Sequence, residues 1–231
     1  MRARTPAALV TVGIAAALAL AGCATVTHSD PSTSPRSTPA ASPTPSKPGL
    51  SQLVASAAGL GDLVLGAPVP TDSPTTAIMT FDATKCVSAA EGIAAGSPGA
   101  GAWLPAYPNS LTYAGSGPPF DVGPVSAQTD PIAQIAIWSP EIKTAKGVGV
   151  GSTSAQLKAA YGSALTVDTA DNSDVYVLAG ARSELQFEVA KDGAGLPVEE
   201  TGTVVWMHVV PIGSPPRHYA NSDTTGPCNF G

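Results

Sequence analysis

Glu184-Leu185-Gln186-Phe187-Glu188-Val189-Ala190 is the stretch that decides the fold of this chain. Leu185, Phe187 and Val189 alternate strictly with Glu184, Gln186 and Glu188. Successive side chains of a strand point to opposite faces, so the stretch predicts an antiparallel strand with one face on a core and the other toward water. Its neighbours read alike. Residues 175–179 form a second strand, and residues 203–210 are a nearly continuous apolar run suited to the centre of a sheet. Residues 132–138 (IAQIAIW) are β-rich and stop at Pro140.

Between these runs lies the clearest helix. Thr153 and Gln156 have the spacing of a capping box, in which a hydroxyl and an amide satisfy the first free N–H groups. Leu157, Ala160 and Tyr161 share one face, and Gly162 is a natural stop. Strands following one short helix predict a meander that covers it. The first half is weaker. Residues 50–58 read as a short helix or lead-in, residues 78–81 as a strand, and residues 111–113 and 122–125 as strand-like islands among Gly and Pro.

Gly147-Val148-Gly149-Val150-Gly151-Ser152-Thr153 has an earlier counterpart in Gly59-Leu60-Gly61-Asp62-Leu63-Val64-Leu65-Gly66. Both alternate Gly with aliphatic residues ahead of an expected helix. Gly147 to Gly162, including Gly151, Thr153, Gln156, Leu157, Tyr161 and Gly162, resembles the helix-leading signature of β-lactamase-inhibitor-like domains, which also occur in small envelope lipoproteins of actinobacterial type. The resemblance covers residues 147–210. It implies an α+β fold, with short helices packed on an antiparallel sheet, as a degenerate tandem repeat of that unit. The first copy departs from the pattern, because Ala67-Pro68-Val69-Pro70 stands where its helix should start. The family's inhibitory loops have no counterpart here, so no binding residue is carried over.

The N-terminus carries the one motif with covalent chemistry. Arg2 and Arg4 precede an apolar run that ends in Leu20-Ala21-Gly22-Cys23. A basic start, an apolar stretch and small residues at its end make a secretory signal. Cysteine after the small residues gives the lipobox, in which a diacylglyceryl group joins the sulfur and cleavage leaves Cys23 first. About 15 apolar residues fall short of the roughly 20 that span a hydrocarbon core. Two acyl chains, at about 0.8 kcal/mol per buried methylene, anchor stably where one is marginal. Residues 24–49, dense in Ser, Thr and Pro, read as a disordered tether spanning from about 28 Å as a coil to about 80 Å when extended. The expected organisation is signal peptide 1–22, lipidated cysteine and tether 23–49, a first α+β half 50–140 and a second 141–231, on the outer side of the cell membrane.

Composition narrows the partners. The formal net charge is −6, charged residues are only 12% of the chain, and no Lys/Arg cluster occurs, which argues against nucleic acid. With Cys23 committed to lipid, Cys86 and Cys228 are left as an even pair in an oxidising compartment and are expected to form a disulfide. Closing so long a loop is worth about 5 kcal/mol in the chain-entropy model and commonly 2–4 in practice.

Chemistry is otherwise sparse. His28 falls in the tether, His208 reads as a hydrogen-bonded structural histidine on an apolar strand, and His218 lies in a loop without metal-ligand spacing. Glu199-Glu200 and Asp171 with Asp174 read as solvated turns rather than calcium loops. The Gly-rich stretch lacks the Lys-Ser/Thr of a phosphate loop. Trp103, Tyr107 and Tyr113 are either a recognition surface or core filling. No catalytic residue, cofactor or metal is expected. The favoured reading is a non-catalytic domain binding a protein or envelope component. The alternatives are a small-ligand carrier or sensor, which a closed apolar cavity would favour, and a wall-acting hydrolase, which a cleft holding two carboxylates or a Ser–His pair would favour.

Overall fold

Ten short strands precede one helix and four strands follow it, among the residues that the computed structural model describes: 46–71, 76–112, 115–123, 127–192, 200–220 and 228. The first strands in chain order are β1 (Val54–Ser56), β2 (Gly59–Leu60), β3 (Leu63–Val64), β4 (Met79–Asp82) and β5 (Ala102–Pro105). Then come β6 (Ser110–Thr112), β7 (Gly115–Gly117), β8 (Phe120–Gly123), β9 (Gln134–Ile137) and β10 (Lys143–Thr144). Helix α1 (Ser154–Tyr161) leads into β11 (Leu165–Thr169), β12 (Ser173–Ala179), β13 (Ser183–Ala190) and β14 (Val204–Pro211).

The expected strands at residues 175–179, 184–190, 203–210 and 132–138 are β12, β13, β14 and β9. With β11 and β8 they form one six-stranded sheet in the order β11-β12-β13-β14-β9-β8, antiparallel throughout. A four-stranded sheet β10-β1-β2-β3 and the hairpins β4–β5 and β6–β7 complete the β structure.

The α+β expectation is corrected. Among the described residues α1, eight residues long, is the one α-helix, accompanied by 3-10 turns at Leu50–Gln52 and Gly162–Ala164. The molecule is predominantly β. Its first half shows why. Residues 54–56 pair in parallel with β10 instead of continuing a helix, so tertiary pairing overrides a weak local preference. Gly59 opens the tight β2–β3 hairpin, where a Cβ would lie 1.9 Å from the Leu63 carbonyl oxygen. Pro68 and Pro70 then exclude a helix, since proline lacks the N–H and biases the residue before it to extended backbone. The two glycine-rich stretches are thus not copies of one structural unit.

Around α1 the expectation holds. The Thr153 hydroxyl accepts from the Gln156 amide at 3.2 Å, and the Gln156 carbonyl oxygen accepts from the Thr153 amide at 2.8 Å. Gly162, at φ 52°, ends the helix. Leu157 is fully buried, and Tyr161 lies 5.9 Å from the Phe187 ring.

Cross-strand register builds the core on one face of the large sheet. Phe120, Ile137, Met207, Phe187 and Tyr176 form one row, and Val122, Ile135, Val209, Leu185 and Leu178 the next. Leu53, Leu60, Leu63, Met79 and Trp103 from the first half, together with Ile142, pack into the same core as α1. Each such side chain contributes roughly 1.5–3 kcal/mol when fully buried.

The opposite face departs from the reading of residues 184–190. Glu184, Gln186 and Glu188 are as buried as the apolar residues between them, at 5%, 3% and 3% exposure. The chain after β14 explains it. Gly213, at φ +77°, turns the backbone, and residues 214–220 run over the face that the alternation assigned to water.

Candidate functional site

The polar face of β13 is the seat of this returning segment. The Gly213 amide donates to Glu184 Oε2 at 3.1 Å, and Gln186 Nε2 donates to Glu184 Oε1 at 2.8 Å and to the Ser214 carbonyl at 3.4 Å. Farther along, the Ala220 amide donates to Glu188 Oε1 at 2.9 Å, and Ala220 packs with Ala190 and Val205. A bulge beside Glu188 makes this possible: Glu188 opposes Trp206 and Val189 opposes Val204, which leaves Val205 as the extra residue. Beyond the segment, Cys228 is bonded to Cys86 with Cα atoms 5.2 Å apart, as the cysteine count anticipated.

His218 latches the segment to β11 and β12. Its Nδ1 lies 2.7 Å from Ser173 Oγ and its Nε2 2.9 Å from Asp168 Oδ1. Ser173 Oγ donates to Glu188 Oε1 at 2.7 Å. Asp168, His218 and Ser173 thus form the serine–histidine–carboxylate chain on which hydrolases rely, and sequence reading missed it because His218 is distant along the chain from the other two. Two features separate it from a nucleophile. Ser173 is fully buried, and its hydroxyl proton is engaged by Glu188 rather than by the imidazole that a general base would supply. Burial raises the Glu188 carboxyl above its usual range, against the bonds from Ser173 and the Ala220 amide.

Beside this chain lies an aromatic row. Trp138 stacks with Trp206 at 6.1 Å between ring centroids, Trp206 stacks with His208 at 5.0 Å, and Tyr219 from the returning segment sits 4.2 Å from Trp206. His208 is 5% exposed, as a structural histidine would be, but the expected hydrogen bond is missing: neither ring nitrogen has a partner. Trp138 Nε1, Trp206 Nε1 and Glu188 Oε2 are likewise buried and unpaired. Burial and the Arg217 charge push the His208 ring down to about 3, so it is neutral near pH 7. Across Ala136 from His208, the carboxyl of Asp121 is buried and pushed up to about 7 by desolvation.

The chain matches no family model, no curated protein and no solved structure.

The remaining candidates are placed as follows. Trp103 is 3% exposed and packs edge-on against Phe81 at 5.3 Å, while Tyr107 packs on Phe120 and donates to the Pro48 carbonyl at 2.8 Å. These two fill the core; Tyr113 lies outside the described residues. Asp174 accepts from Thr169 and pairs with Lys191 at 2.7 Å, an ordinary turn and ion pair. The Gly-rich stretch serves the backbone: Gly147 and Gly151 have φ of +76° and +81°, and a Cβ on Gly149 would lie 2.4 Å from the Ile142 carbonyl oxygen. Among the described residues no group of three His, Cys, Asp or Glu side chains converges as metal ligands do. A groove of about 230 Å³, lined by Pro48, Gln52, Asp62, Val69, Ile78 and Met79 among others, is smaller than a typical small-molecule site of roughly 300–1,000 Å³. Cys23, His28, the tether up to residue 45, Glu199 and residues 124–125 lie outside the described residues.

Proposed function

We propose that this chain is a lipid-anchored protein of the cell envelope, held by a diacylglyceryl group on Cys23 and displaying a non-catalytic binding domain outside the cytoplasm. The partition of its three cysteines carries the reading. Cys86 and Cys228 pair within the folded domain, as suits an oxidising compartment. The remaining thiol stands directly after Leu20-Ala21-Gly22, where a lipobox needs it. The Ser/Thr/Pro-rich residues between Cys23 and residue 46 then serve as the tether, and the partner is a protein or another envelope component.

Metabolic labelling with palmitate and detergent phase partitioning test the anchor. The wild-type chain should take up label and enter the detergent phase, and Cys23→Ala should do neither. A Cys23→Ala protein that stays firmly membrane-bound contradicts the anchor.

One observation favours a second reading, a hydrolase: the Ser173–His218–Asp168 chain. It falls short because Ser173 is sealed beneath the returning segment and its proton is held by Glu188. A fluorophosphonate probe should leave Ser173 unmodified. Labelling there, lost in Ser173→Ala, would replace the binding module with an enzyme.

A further inference from the structure

We propose that the aromatic row under the returning segment is a binding platform for a neutral, hydroxyl-rich ring compound, a saccharide, and that Tyr219 occupies it until the ligand takes its place. This deepens the binding reading above by naming the ligand class. It starts from a hydrogen-bond deficit. Buried polar side chains in folded proteins nearly all find partners, and each exception calls for a reason. Here four such residues lie together on one face of three adjacent strands: Trp138 on the chain leaving β9, Trp206 and His208 on β14, and Glu188 on β13. All are at most 5% exposed. The buried carboxyl of Asp121, on β8, extends the same face.

The unmet groups define the ligand. Trp138 Nε1 and Trp206 Nε1 are donors only, Glu188 Oε2 is an acceptor while ionised, and neutral His208 offers one of each. An anion would meet the carboxylates of Glu184 and Glu188. A cation would leave both indole N–H groups unanswered. A hydroxyl both donates and accepts, so a compound carrying several answers the whole set. Trp138 and Trp206, stacked on each other, supply an apolar aromatic wall for one side of a sugar ring. From Glu188 to Asp121 the face spans three strand spacings, about 14 Å, and about 7 Å along the strands, the footprint of one or two pyranose rings.

The segment above is built to be lifted. Tyr219 covers Trp206 with a ring of sugar size, at 4.2 Å. Its neighbours are held by a few directed bonds, Ala220 to Glu188, Gly213 to Glu184, and His218 to Asp168 and Ser173. The Cys86–Cys228 bond keeps the end of the chain attached while the segment rises.

The test is a tryptophan-fluorescence titration of the full chain in detergent with the neutral trisaccharide of N-acetylglucosamine, whose acetamido carbonyls accept from indole N–H. Wild type should bind. Tyr219→Ala should bind about ten-fold more tightly, because removing a competitor raises the fraction of open protein. Trp206→Phe, which keeps a ring and loses the N–H, should bind about ten-fold more weakly. Thermal melts of each variant establish that it is folded, and Trp138→Phe replaces Trp206→Phe should the latter not fold. No binding by either wild type or folded Tyr219→Ala overturns the proposal, as does binding of tetramethylammonium in place of the sugar. Neither result touches the anchor or capture of a protein partner, which palmitate labelling and pull-down from envelope extracts read separately.

Discussion

Across β13 and β14 the two faces of the six-stranded sheet are both buried and differently made. On one, rows of Phe, Ile, Met, Leu and Val interlock with α1 and the first half of the chain. On the other, Glu184, Gln186, Glu188, His208, Trp206 and Trp138 lie beneath residues 212–220. The first face is sealed by non-directional burial and tolerates any filling of the right shape. The second is sealed by a few directed bonds, most ending on carboxyl oxygens, and leaves several polar atoms unmet. A face of the first kind holds a fold together; one of the second kind can open while the fold persists. The domain's stability is therefore assigned mainly to one side of the sheet, and the binding chemistry proposed above to the other.

Substitutions should separate the faces. Phe187→Ala, at a fully buried position against Tyr161, should cost about 3–5 kcal/mol and threaten folding altogether. Loss of the disulfide through Cys86→Ala with Cys228→Ala should cost about 2–4 kcal/mol, and amide exchange should rise across residues 212–220 more than in β12 or β13. Equal loosening of both faces would contradict their independence.

The pH dependence should be nearly flat because two groups of the second face oppose each other. Asp121 rises from 3.8 to about 7 on folding, so the folded state holds more protons and this group makes stability fall as pH climbs from about 4 to 7. His208 drops from 6.5 to about 3, so the unfolded state holds more protons and this group makes stability rise as pH climbs from about 3 to 6.5. Asp121→Asn should expose the histidine, giving a protein that loses a few kcal/mol on acidification below pH 6.5. His208→Phe should expose the aspartate and reverse the slope. Denaturant midpoints across pH 4–7 read both; parallel pH profiles for the two variants would refute the opposition.

Truncating a bond under the returning segment should matter less. Glu188→Ala removes the acceptor of both Ser173 and Ala220 and should cost about 1–3 kcal/mol, with the loss concentrated in residues 212–220. The smallest effect belongs to the half-buried pair Lys191–Asp174, where Lys191→Met should change stability by no more than about 1 kcal/mol.

The sequence made one of these faces legible and misassigned the other. Period-two alternation in residues 184–190 located β13 and its inner side chains because burial against a core leaves a local pattern. The capping box of Thr153 and Gln156 located α1 because both partners lie within one turn. Burial of Glu184, Gln186 and Glu188 has no such local sign. It depends on a segment that returns from Gly213 and on a disulfide with a sequence separation of 142. The Ser173, His218 and Asp168 chain was hidden for the same reason, His218 lying 45 positions from Ser173 and 50 from Asp168. In the first half, Pro68 and Pro70 gave fair warning against a helix, while the pairing of β1 with β10 could not be read from residues 50–58.

The account stands on the polar face being an interface rather than a solvated surface, and residue-resolved amide exchange measures that directly. In the oxidised full chain, the Gly213 and Ala220 amides, whose acceptors are the Glu184 and Glu188 carboxyl groups, should be protected, and Glu188→Ala should release Ala220 while β13 stays protected. Exchange of both amides at the rate of an unstructured chain in the wild type would return the face to water and contradict the account.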